Sequence, residues 1–457
     1  MKASLIAEIV EGIYEGPADL VVSHGCGFDS REIRNGDIFL ALQGEKSDGH
    51  DFIFDAKAHG AALALVTRRV DMPHVIVSDV LGAIARLAHH VRAQMPDLKV
   101  VGITGSQGKT TTKDILKTVL SVAGETLVAK GSYNNELGAP LTILNCTATT
   151  RFCVVEMGAR HMGDIAALVR IASPDVGAVL RVGTAHLGEF GSRENIAKTK
   201  AELIHGLRDG AIAVLGMYDE FTPRMADGLN RKVLTFGESA QCSIRAADLE
   251  IRGGYSHFEL VTPEGREPVE LRLLGAHQTA NALAAAAIAF ALGMKTAQIA
   301  AALSSHESAS RWRMELHELS GILLINDSYN ANPESMEAAL RTLALLTQER
   351  GGRSWAFLAT MHELGSESTH LHQGVGQVAI DLKIDHLVAI GNKDLLPGGS
   401  EEITHQHFFD SYKGASSLID RFEAGDVVLV KGSRAEHLEE LAAIIHDNFS
   451  AEDKEKM

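Results

Sequence analysis

The chain has 457 residues, 45% of them hydrophobic and 22% charged, with a formal net charge of −16. That length allows about three domains, and the acidic balance argues against non-specific nucleic-acid binding while leaving room for an anionic ligand at loops and helix N-termini. The opening MKASLIAEIVEGIYEGP is interrupted by Glu8 and Glu11 and is not patterned as a signal peptide, and the longest apolar run, 282–294, is too short to cross a bilayer.

Cys26, Cys146, Cys153 and Cys242 have no CxxC spacing, so reduced thiols are expected rather than a zinc site or a disulfide framework. A cytoplasmic protein without membrane insertion is the expectation.

In chain order, residues 1–96 carry short apolar strands (DIFLAL, AALALV, HVIVSD) around the helical stretch DFIFDAKAHG, which predicts a small α/β domain. Residues 97–308 begin with the strand LKVVGIT, a glycine-rich turn and the helix TTKDILKTVL. The runs FCVVEMG and DVGAVLRV that follow are continuously apolar, as strands of a parallel sheet are. Between about 230 and 275, alternating runs separated by Gly turns predict antiparallel strands appended to that sheet.

Residues 309–457 alternate GILLINDSY, WAFLAT, HLVAIG and VVLVKGS with helices such as PESMEAALRTLALL. This predicts a doubly wound, Rossmann-like domain with its site at the strands' C-terminal ends. SAEDKEKM is read as a solvated tail.

GITGSQGKTT, residues 102–111, sits between a strand and a helix. Its glycines at 102, 105 and 108 let backbone N–H groups approach phosphate oxygens. Lys109 supplies charge and the Thr110 hydroxyl can ligate Mg²⁺. The strict GxxxxGK[ST] pattern is not met, because Ile103 stands where the first Gly belongs, but Gly-Lys-Thr keeps its strand–loop–helix context. Binding of a nucleoside triphosphate is predicted.

Glu156 ends the strand FCVVEMG, where a carboxylate can hold Mg²⁺ beside a triphosphate or simply cap the next turn. In the predicted helix ENIAKTKAELI, Lys200 shares a face with Ile196, Ala197, Leu203 and Ile204, whereas Lys198 points elsewhere. A lysine on an apolar face pairs with a carboxylate, snorkels outward, or loses its charge, for example as a carbamate. His186, in GTAHLGEFGS, is either structural or a second metal ligand.

These residues together resemble the Mur ligase family across the whole chain. DSREIRNGDIFLALQGEKSDGHDFI resembles its uridine-nucleotide-binding domain. GITGSQGKTT, SYNNELGAP, VVEMGA and AHLGEFGSRENIAKTKAEL resemble its central ATPase domain, and DSYNANPESM and VLVKGSRA its C-terminal domain. The resemblance implies a three-domain α/β ligase with a central P-loop ATPase, and the last two segments favour the member that joins D-alanyl-D-alanine to UDP-N-acetylmuramoyl-tripeptide. The alternatives are a sister ligase adding a single amino acid and a non-ligating ATP-binding regulatory protein.

The resemblance further implies residue roles. Gly105, Ser106, Gly108, Lys109, Thr110 and Thr111 would take the ATP phosphates, and His277 and Asn281 the nucleotide side of the pocket. Arg313, Asp327, Tyr329 and Asn330 would close over ATP. Thr110, Glu156, His186 and Lys200 as a carbamate would hold Mg²⁺. Ser30 and Arg31 would contact the uridine nucleotide. Asn134, Asn135, Asn332, Lys431, Ser433 and Arg434 would approach the substrates, although Asn332 and Pro333 also read as an ordinary helix start.

The sequence departs from the family pattern in WRM for the usual GRM around Arg313, in LATMHELG, in LGMYDE and at Ala276. A monomer is expected, with hinges near 95–98 and 306–312.

Overall fold

The computed structural model describes residues 1–44, 47–308, 310–397 and 405–455. It contains three sheets of five, nine and six strands, in chain order. The N-terminal sheet runs Ile13–Glu15, His74–Ile76, Leu63–Val66, Ile38–Leu40 and Cys26–Gly27, all parallel except the antiparallel first strand.

In the central sheet, Lys99–Thr104 lies between Phe152–Glu156 and Val176–Val179, and all three are parallel. Phe152–Glu156 is buried at every position, because helices cover both faces of the sheet. The strands Ile244–Arg252, Tyr255–Thr262 and Gly265–Leu274 form the antiparallel extension expected from their alternation.

The C-terminal sheet orders Glu315–Leu319, Ile322–Asn326, Val427–Lys431, Ser354–Ala359, His386–Ile390 and His405–Phe409, with only the first strand antiparallel. The final helix runs Leu438–Glu455, so most of the segment read as a tail continues a helix. Lys456 and Met457 lie outside the described residues.

Two packing features set the site. The helix Gln278–Ala291 buries Ala282 through Ala289 without a break. Its small side chains share one core with Ile115, Leu116 and Val119 of the helix Lys109–Ser121, which fixes the helix that begins at the phosphate loop.

The linkers differ in how they are held. Around 95–98, the buried Arg92 guanidinium donates to Met95 O (2.9 Å), Ala172 O (3.2 Å) and Asp175 Oδ2 (2.9 Å), pinning the N-terminal domain to the central one. In the second linker, His306 Nδ1 lies 2.7 Å from Thr118 Oγ1, and Ser310 bonds Asp114. Both anchors are on the phosphate-loop helix. Ala309, within the second expected hinge, lies outside the described residues.

Candidate active site

The phosphate loop leaves the strand Lys99–Thr104 and turns through Gly108, whose φ of +80° a side chain would strain. A Cβ there would also collide with the Asn281 side chain. The helix begins at Lys109, which donates from Nζ to Gly105 O at 2.8 Å. Burial lowers the Lys109 pKa, Glu156 opposes that shift, and Arg313 adds to it.

Thr110 Oγ1 donates to Glu156 Oε2 at 3.1 Å, and Asn134 Nδ2 donates to Oε1 at 3.1 Å. Glu156 is itself 1% exposed. A hydroxyl and a carboxylate are thus joined at the mouth of the loop, both hard oxygen donors suited to Mg²⁺. Among the described residues no three His, Cys, Asp or Glu side chains cluster as a metal set.

Lys200 falls on the inner face of the helix Arg193–His205, buried with Ile196, Ala197, Leu203 and Ile204, while Lys198 is exposed. Burial, reinforced by Lys109, lowers its pKa to about 7. No carboxylate pairs with it among the described residues, so of the three readings the salt bridge is absent here. His186 lies within the electrostatic reach of both lysines, and burial is the main cause of its lowered pKa.

The C-terminal domain supplies the facing wall. Arg313 stacks on Tyr329 at 4.0 Å and donates to Thr110 Oγ1 at 3.2 Å. Tyr329 Oη lies 2.5 Å from Ser132 Oγ. The buried Lys431 donates to Asp327 Oδ2 (2.5 Å) and Asn330 O (2.9 Å). Asn332 caps the helix Pro333–Arg350, accepting from Ser335 N at 2.9 Å, so the helix-start reading of that residue holds. Ser433 Oγ accepts from His362 N at 3.0 Å, and Arg434 stacks on Trp312 at 4.4 Å.

A cleft of about 560 Å³ lies between these walls. It brings together Ser106, Gly108, Lys109, Thr110, Thr111, Asn134, Glu156 and His186 from the central domain, with His277 and Asn281 at one side. Burial lowers the His277 pKa to about 4, so that ring is neutral. Opposite stand Arg313, Asp327, Tyr329, Asn330, Asn332, Lys431, Ser433 and Arg434.

Gly105, Asn135 and Lys200 are not in the lining: Gly105 and Lys200 are buried, and Asn135 is exposed. Ser30 and Arg31 are elsewhere, on the N-terminal domain. Ser30 is buried, and the largely exposed Arg31 pairs with Asp29 at 2.7 Å.

Residue-by-residue reading of the sequence missed Gln107, Ser132, Thr184, Glu334 and Glu363, all of which meet partners across the domain boundary. It also missed Lys113, whose buried ammonium donates to Ala129 O and Gly131 O and so shapes the turn ahead of Ser132. Its place on the inner face of the phosphate-loop helix was the available signal.

A phosphate loop set against a Rossmann-like domain across a polar cleft defines a nucleotide-dependent transferase or ligase of three domains. The sequence matches the Mur ligase family catalytic domain over residues 22–102, the Mur ligase middle domain over 103–289 and the Mur ligase glutamate ligase domain over 312–434. The chain belongs to the Mur ligase family, and is a ligase.

It is 39% identical to UDP-N-acetylmuramoyl-tripeptide–D-alanyl-D-alanine ligase of Mycobacterium tuberculosis, over 98% of each chain. A crystal structure of MurF from Acinetobacter baumannii superposes with a TM-score of 0.88 at 32% identity, over 98% of each chain. MurF from Thermotoga maritima in complex with ADP gives 0.80 at 30% identity, covering 94% of this chain and 99% of the other.

Proposed function

We propose that this ligase joins D-alanyl-D-alanine to UDP-N-acetylmuramoyl-tripeptide, with ATP converted to ADP and phosphate. The carrying observation is the placement of the Lys109–Thr110 phosphate loop directly opposite Arg313, Asp327 and Lys431 in one cleft. Its relatives' names point to the same reaction. Three domains are proposed, at 1–96, 97–308 and 309–457, in a cytoplasmic monomer.

A carboxylate does not react usefully with an amine until it is made an electrophile. Its oxygen attacks the γ-phosphorus of ATP, breaking the bond to the β-phosphate oxygen and giving an acyl phosphate and ADP. The neutral amine then attacks the acyl carbon, phosphate leaves with the C–O bonding pair, and the nitrogen gives up one proton to phosphate or solvent. Protein groups contribute position and charge in the first step. Lys109 and Arg313 face the phosphates, and the Gly105–Thr110 backbone cradles them. Asn134 and Lys431 stand where the acyl and amine groups meet.

Thr110 and Glu156 would hold one Mg²⁺, and His186 with a carbamylated Lys200 a second. When bound, these ions neutralise charge on the transferring phosphoryl group. Lys200 suits carbamylation because it is buried, unpaired by carboxylate and largely neutral above pH 7. Closure is proposed to turn on the 306–312 segment, since Arg92 staples the other linker. Ser30 and Arg31, outside the cleft lining, are proposed for the uridine nucleotide, with the muramoyl peptide bridging to the cleft.

An amine panel tests the assignment. Mass spectrometry of reactions holding ATP, Mg²⁺ and the UDP-linked tripeptide should find product with D-alanyl-D-alanine and none with single amino acids. Product with a single amino acid alone would move the chain to a sister activity.

A further inference from the structure

Glu334 has no part in the mechanism above. It is the second residue of the helix Pro333–Arg350, in the C-terminal domain. Its carboxylate nevertheless reaches the central domain at two places. Oε2 accepts from Gln107 Nε2 at 3.1 Å, inside the phosphate loop between Ser106 and Gly108. Oε1 accepts from Thr184 N at 2.8 Å, and Thr184 Oγ1 donates to the same carboxylate at 3.0–3.1 Å.

Thr184 precedes His186 by two residues. The approach is close enough that a Cβ on Gly183 would stand 2.7 Å from Oε1, so glycine there admits the carboxylate. The two central loops are also tied to each other, Gly183 N donating to Ser106 Oγ at 2.8 Å.

One side chain therefore touches the loop that cradles phosphate and the loop that carries His186, from the domain that must move for the reaction. Both donors are present together only when both loops hold this shape. A charged acceptor taking several hydrogen bonds gives the strongest docking then, and docking weakens if either loop shifts.

We propose that Glu334 is a positioning residue that couples closure of the C-terminal domain to the conformation of the phosphate loop. This rests on the ligase reading, in which phosphoryl transfer requires the two domains together. The negative charge sits in the first turn of its own helix, where it is favoured, so the latch needs no separate support.

The test uses the full-length chain, comparing wild type with Glu334→Ala, Glu334→Gln, Gln107→Ala and the Glu334→Ala/Gln107→Ala double variant. Glu334→Ala should lower kcat about tenfold and raise the KM for the dipeptide, with the KM for ATP and the thermal midpoint unchanged. Glu334→Gln, which keeps an acceptor for Thr184 N, should fall between it and wild type. The double variant should lose about as much as Glu334→Ala alone, because the one contact that Gln107→Ala removes is already lost with the Glu334 carboxylate.

Wild-type kcat in Glu334→Ala would overturn the proposal, and so would losses that multiply in the double variant. A parallel collapse of ATP affinity would do the same. Should Glu334→Ala fail to fold, the Glu334→Gln and Gln107→Ala pair carries the same cycle.

Small-angle scattering with Mg²⁺ and a β,γ-imido ATP analogue separates this inference from the assigned reaction. Compaction of the wild type that is absent in Glu334→Ala supports the latch even if no ligation is found. Equal compaction in both overturns it even if ligation is confirmed.

Discussion

His186 Nδ1 lies 2.5 Å from Glu363 Oε2, joining a central-domain loop to a C-terminal-domain loop. The contact is close but not aligned as a hydrogen bond. Both residues have left-handed backbones, φ +62° and +65°, and Glu363 O accepts from Gly188 N at 3.0 Å. Such conformations cost on the order of 1 kcal/mol each for residues other than glycine, and persist where surrounding contacts determine them. The pair turns Nδ1 of the His186 ring toward Glu363 and leaves Nε2 as the nitrogen that does not face it.

Glu363→Ala is therefore expected to raise the Mg²⁺ concentration needed for half-maximal rate by about 10–100-fold. Titrating activity against Mg²⁺ checks this, and an unchanged Mg²⁺ requirement would show that Glu363 does not orient His186.

Lys109→Met should reduce turnover on the order of 10²–10³-fold, because charge on the phosphates would lose its fixed counter-charge. Steady-state kinetics at saturating ATP measure it. A rate within tenfold of wild type would remove Lys109 from the phosphoryl-transfer step.

The buried Lys200 ammonium has its pKa lowered to about 7 from the ordinary 10.5. The neutral amine that can take up CO₂ predominates above pH 7 and is lost as pH falls through that value. Ligation should accordingly fall as pH drops below about 7, and added bicarbonate should restore part of it. ¹³C NMR of the chain in labelled bicarbonate should find a carbamate signal that Lys200→Ala lacks.

Trp312 has a φ of +61°, a left-handed backbone that favours glycine. Its indole offsets part of that strain by stacking with Arg434. Trp312→Ala loses the stacking and keeps the strain, whereas Trp312→Gly loses both. The glycine variant should therefore be the more stable of the two by about 0.5–1 kcal/mol. Thermal unfolding of both variants decides it, and the reverse order would contradict a strained backbone at this position.

The parts of the site legible in the sequence are those written in local pattern. Glycines spaced around Lys109 announced the phosphate loop, and helical spacing placed Lys200 inward and Lys198 outward, as the structure has them. Continuous apolar runs announced parallel strands, and alternation announced the antiparallel extension, because each period reports how many faces are buried.

Contacts across the domain boundary leave no such trace. Gln107 and Glu334 are 227 residues apart and Thr184 and Glu334 are 150 apart, and at each position the local sequence is satisfied by a loop or a helix start. Arg92, on a helix face that reads as amphipathic, gave no sign that it staples a linker expected to bend.

The most direct test of the central claim is phosphate release from ATP with Mg²⁺ and UDP-N-acetylmuramoyl-tripeptide, with and without D-alanyl-D-alanine. Release should require both substrates, with one phosphate for each pentapeptide formed. Release that proceeds without the amine and the acceptor carboxylate would contradict that claim.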